Sequence, residues 1–129
     1  MPQHIAQAAL LVRDYDEAID FYVGKLGFHL ILDTPMDPPR RWVVVAPPGS
    51  RGAQLVLARA DTEAQVARIG DQTGGRVALF LYIDDFWGDH EHFLAAGVRF
   101  VEAPREEPYG TVAVFEDLYG TKWDLLQPK

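Results

Sequence analysis

The side chains with chemical potential in this sequence are few and scattered. Asp124 lies in the strand-like run TKWDLL, two residues after Lys122. It has two readings. One is a general base whose pKa is raised by burial; the other is an ion pair with Lys122, on the same strand face and roughly 7 Å along it. Tyr82, near the end of VALFLYIDD, can donate a hydrogen bond to a ligand carbonyl or act as an amphipathic wall. Gln7 interrupts an apolar run and reads as a ligand contact or as a buried amide satisfied by backbone groups. His90 and His92 are close in sequence, yet an i, i+2 pair on a helix points to nearly opposite faces, which argues against shared chelation. Ser50 is the only serine and sits in a Pro/Gly turn without a nearby base; no G-x-S-x-G elbow, phosphate loop or dinucleotide fingerprint is present.

These residues must be positioned by a chain that states one pattern twice. VRDYDEAIDFYVGKLGF at 12–28 and IDDFWGDHEHFLAAGVRF at 83–100 each run from a strand end through an acidic cap and an amphipathic helix to a glycine and a new strand. Asp14 and Glu17 have the spacing of an acidic capping box. Tyr15, Ala18, Ile19, Tyr22 and Leu26 predict one helical stripe, and Phe86, His90, Phe93 and Leu94 predict the other. Strands are predicted at 5–12, 28–33, 42–46, 54–58, 77–83, 98–101, 111–115 and 122–126, from apolar runs separated by Pro- and Gly-rich turns. Thr62 and Gln65 have capping-box spacing before a short helix ending at Ile69. GDQTGG at 70–75 reads as a linker.

The order is βαβββ, linker, βαβββ. It predicts an α+β fold: a single domain over 1–129 built of two tandem modules, 1–69 and 76–129, that form a curved mixed sheet around a cavity. An unrelated α+β sandwich is the competing architecture. Trp42 follows the TPMDPPRR loop, which is placed to act as a lid over a pocket, and so joins the ligand-contact candidates. Glu106 and Glu107 read as solvated surface.

Composition narrows the function classes. The formal charge of −7 opposes phosphate-backbone binding, and Lys and Arg form no stripe, so nucleic acid is a poor partner. No apolar run approaches the roughly 18 residues of a membrane span. Cysteine is absent, which excludes thiolate chemistry and disulfides and fits a cytoplasmic protein.

Two segments carry a family likeness. VRDYDEAIDFYVGKLGF and VFEDLYGTKWDLLQP (114–128) resemble the signatures of the vicinal oxygen chelate superfamily, which includes glyoxalase I, bleomycin-resistance proteins and extradiol dioxygenases. Leu118 stands where that family usually has proline, and Asp124 where it has glutamate. The resemblance covers nearly the whole chain and implies the fold. It is less specific for a reaction, because the scaffold hosts lyases, isomerases, oxygenases and binders.

In catalytic members, four side chains from four strands hold a divalent ion. By motif these positions fall on Gln7, Val56, Ala78 and Asp124, so two are apolar. A slip of two residues would exchange Val56 for Gln54. The resemblance thus implies a binder of a small, partly apolar molecule with no cofactor expected. The alternative is a divalent-metal lyase, isomerase or dioxygenase using Gln7, Asp124 and Gln54. Strand parity on the same map places Gln7, Gln54, Val56, Ala78, Phe80, Tyr82, Lys122 and Asp124 on the cavity face. The family habit also implies a homodimer.

Overall fold

The computed structural model describes residues 1–129. The chain resolves into two compact units, Met1–Ile69 and Gly70–Lys129. Each forms its own four-stranded mixed sheet, so the expected curved sheet takes the form of two sheets with the same internal order.

In the first unit the strands are β1 (Gln7–Val12), β2 (His29–Pro35), β3 (Arg41–Ala46) and β4 (Gln54–Arg59), ordered β1-β4-β3-β2. β1 runs parallel to β4, and the other pairs are antiparallel. Helix α1 (Tyr15–Ile19) opens at Asp14, whose carboxylate accepts the Glu17 N–H at 2.9 Å, as an N-cap should. The helix then widens into a π-helical turn over Asp20–Lys25, closed by the Leu26 N–H on the Phe21 carbonyl at 3.0 Å. A wider turn reduces the angle between successive side chains. Both Phe21 and Tyr22 are thereby buried, edge to face at 5.1 Å between ring centroids. The predicted stripe shifts accordingly: Phe21 joins it and Ile19 is left half-buried. Beneath lie Leu10, Val12, Val43, Val45, Leu55 and Leu57, all buried.

The first strand is shorter than predicted, since Ile5 is exposed and outside it. A bulge between Leu30 and Leu32 interrupts β2, an edge strand whose residues are all exposed, Leu30, Ile31 and Leu32 among them. A short helix, α2 (Glu63–Val66), follows its Thr62 cap.

The second unit repeats the plan with β5 (Leu79–Tyr82), α3 (Phe86–Ala95), β6 (Arg99–Glu107), β7 (Gly110–Glu116) and β8 (Lys122–Pro128), ordered β5-β8-β7-β6. Phe86 and Phe93 of α3 are buried, and Phe93 meets Phe115, which stacks on Trp123 at 5.7 Å. Leu94, expected on this stripe, is 51% exposed. Strand β6 runs six residues past its predicted end, from Val101 to Glu107. Two register shifts and Pro104 break its alternation, and its place at the sheet edge tolerates both. Glu106 and Glu107 are therefore strand residues, accepting from the Thr111 hydroxyl and pairing with Arg105. No helix is long and apolar enough to cross a membrane.

The β7–β8 connection explains the second signature. Asp117 is buried, and its carboxylate accepts the backbone N–H groups of Tyr119 and Thr121, each at 2.9 Å. Gly120 completes the turn at positive φ.

Candidate functional site

In each unit the helix covers one face of the sheet, and the alternate side chains form the opposite face. In the first unit, β1–β4 register sets Gln7 beside Gln54, Ala9 beside Val56 and Leu11 beside Ala58. Gln7 is exposed on the edge strand, while Gln54 and Val56 are half-buried. The ladder neighbour of Gln7 is thus a second neutral amide.

In the second unit, β5–β8 register pairs Phe80 with Asp124 and Tyr82 with Leu126. Ala78 lies one step earlier, its N–H bonded to the Lys122 carbonyl at 2.9 Å. Phe80 is 61% exposed and Tyr82 66%, so the edge strand β5 carries two bare aromatic rings. Asp124 is half-buried between them and the β7 residue Val114. Burial raises its carboxyl above the ordinary aspartate range; Arg105 opposes that shift and Glu102 adds to it. Lys122 does not pair with it. Its ammonium turns to the Gly75 carbonyl at 3.3 Å, so the ion-pair reading of Asp124 does not hold.

The histidines part as the helix spacing requires. His90 is half-buried, stacked on Phe86 and 4.5 Å from the Phe100 ring, while His92 is exposed. No group of three or more His, Asp or Glu side chains is gathered anywhere in a way that could hold a metal ion.

The first unit also contains a hollow of about 290 Å³ on its open face. Leu11, Val56 and Ala58 supply its apolar floor, and Trp42, 37% exposed, supplies an aromatic wall. Met36 and Arg40 reach it from the turn between β2 and β3, the segment read as a lid. That turn is held by the Met36 N–H on the Arg40 carbonyl at 3.0 Å and the Arg40 N–H on Asp37 at 2.8 Å.

A brace ties the base of this hairpin to α1. The Arg41 guanidinium grips Asp33 with two bonds, 3.1 and 2.7 Å, and Asp16 with a third at 3.0 Å. It also lies over the Tyr15 ring, 5.1 Å from the centroid, and the Arg41 backbone N–H donates to the Tyr15 hydroxyl at 3.2 Å. The bidentate bond to Arg41 holds the Asp33 carboxyl below its ordinary range.

Tyr15, Arg59, Asp61 and Gln65 line the same hollow. Sequence reasoning did not single out these four or Arg40 as site residues. Arg40 sat in a Pro-rich turn without periodicity, and Arg59 closes a strand, so neither carried a pattern; only the proximity of Arg40 to Trp42 in the proposed lid was a signal.

The model of the Glyoxalase/Bleomycin resistance protein/Dioxygenase superfamily matches residues 4–125. A protein of Shewanella frigidimarina (strain NCIMB 400) is 59% identical over 128 residues, covering 98% of this chain and 95% of that one. Among solved structures, UcmS2 superposes with a TM-score of 0.85 at 30% identity, over 98% of both chains. TnmS3, an antibiotic binding protein from Streptomyces sp. CB03234, gives 0.78 at 31% identity, over 99% of this chain and 98% of that one. With the order of its elements repeated in both units, the chain belongs to the glyoxalase/bleomycin resistance protein/dioxygenase superfamily.

Proposed function

We propose that this protein binds a small, partly apolar organic molecule and sequesters it, without a resident metal. The observation that carries this reading is the hollow walled by Trp42 and floored by Leu11, Val56 and Ala58. An apolar concavity with a few converging polar groups is the usual form of a small-molecule site. TnmS3, similar over almost its whole length, binds an antibiotic, which supports a binding role on this scaffold.

The donor set supports the metal-free part. Gln7 and Gln54 are neutral amides, Val56 and Ala78 offer no donor, and Asp124 is the single carboxylate among the mapped positions. Tightly bound transition metals commonly require three protein ligands of stronger donor character. The proposal extends to a cytoplasmic homodimer, for which light scattering would give twice the 14.5 kDa chain mass.

A titration followed by tryptophan fluorescence tests the binding role. A planar aromatic compound should change the emission of the native protein, and the change should be largely lost in Trp42→Phe. Metal analysis of the native protein after dialysis accompanies it: about one transition-metal ion per chain would overturn the metal-free reading in favour of a metal-dependent lyase, isomerase or dioxygenase.

A further inference from the structure

The polar groups around the Trp42 hollow are unequal in kind. Arg40 and Arg59 both line it, and neither takes part in an ion pair. The third guanidinium at the site, Arg41, is already matched by Asp33 and Asp16. Among the side chains that line the hollow itself, three guanidinium groups face one carboxylate, Asp61; the Asp16 and Asp33 carboxylates balance the count from outside it, where they are engaged by Arg41.

The neutral groups lean the same way. The Gln65 carbonyl oxygen accepts the Asp61 N–H at 2.9 Å, which leaves its amide N–H groups to donate. The Tyr15 oxygen accepts the Arg41 N–H, which leaves its O–H to donate. Of the six polar side chains at the hollow, Arg41 is engaged by its carboxylates, Asp61 is an acceptor, and the other four offer donors, while the aromatic wall offers a flat face. Guanidinium groups bind carboxylates with two parallel hydrogen bonds and stack on planar π-systems.

Resting on the binding role proposed above, we infer that the ligand of this hollow is a planar aromatic anion. Its ring lies against Trp42, and its acidic group is held by Arg40 and Arg59. Desolvation by the apolar floor strengthens the charge-assisted contacts, while partial exposure keeps them sensitive to salt.

The experiment compares naphthalene-2-carboxylate, naphthalene-2-carboxamide and naphthalen-2-ylmethylammonium by isothermal titration at millimolar concentrations. The carboxylate should bind about tenfold more tightly than the carboxamide, the scale of one charge-assisted contact, and the ammonium most weakly. Arg40→Gln or Arg59→Gln should erase most of that preference, weakening the carboxylate much more than the carboxamide, whereas Arg40→Lys should retain much of it. Both arginines are exposed, so the variants should melt with the native protein. Equal binding of carboxylate and carboxamide, or tighter binding of the ammonium, would overturn the charge assignment while leaving the binding role intact. Equal loss of carboxylate and carboxamide binding in the Gln variants would also overturn it. Failure of all three compounds to bind would overturn both readings.

Discussion

Asp124 stands beside Phe80 in the parallel β5–β8 ladder, an ionisable carboxyl next to an exposed aromatic ring. Burial raises the carboxyl above the ordinary aspartate range, so the fold favours its protonated form. The sign follows from linkage. The contribution to stability is full below the unfolded pKa of about 3.9 and is lost as pH rises through the higher folded value. Asp124→Asn should therefore melt about 1–3 °C above the native protein at pH 7, with the gap closing toward pH 3. A gap that stayed constant across that range would contradict the shift.

The Arg41–Asp33 brace titrates in the opposite sense. Its bidentate bond lowers the Asp33 carboxyl, so its stabilisation is present above the ordinary aspartate pKa and is lost as pH falls through the depressed folded value. A double-mutant cycle with Arg41→Gln and Asp33→Asn should give a coupling of about 0.5–1 kcal/mol near pH 7, since both side chains are 28% exposed. The coupling should fade in strong acid. Chemical denaturation at several pH values measures it.

Trp42→Ala removes the wall of the hollow while leaving the floor in place. Aromatic ligands should bind roughly 5- to 30-fold more weakly, on the scale of one stacking contact plus lost apolar area. Because Trp42 is partly exposed, the melting temperature should fall by only a few degrees. Titration calorimetry and a thermal melt on the same sample separate the two effects.

The β7–β8 turn supplies a pair of opposite predictions. Asp117→Ala leaves one buried and one half-buried N–H group without their acceptor and should cost about 2–3 kcal/mol. Thr121→Val should be neutral or stabilising by up to about 1 kcal/mol. Its hydroxyl oxygen is buried without a hydrogen-bond partner, so replacement by a methyl group removes a polar atom that nothing satisfies. Urea denaturation of both variants checks the contrast.

The frame was legible where local periodicity and tertiary packing agree. Asp14 and Thr62 accept at the helix starts as their spacing predicted, and Asp85 serves as the acidic cap of the second repeat. The alternation of β4 and β8 put Val56 and Asp124 on the face opposite the helix-covered side. Legibility failed where the backbone departs from a fixed period. The π-helical turn moved Phe21 into the core, and the bulges of β6 hid a strand that reaches Glu107. The hollow was half legible for a related reason. Trp42 announced itself by type, but Arg40 and Arg59 become neighbours of it only through the path of the hairpin, which no repeat in the sequence records.

That hairpin has a consequence of its own. Residues 36–40 are all exposed, and the Arg41 brace anchors the strand just beyond them to α1. Changes of length or composition in the tip leave every buried residue of the first unit untouched. In a binding site of the kind proposed, the tip is therefore where the lining could be exchanged without risk to the fold, a cassette clamped at one end to strand and helix.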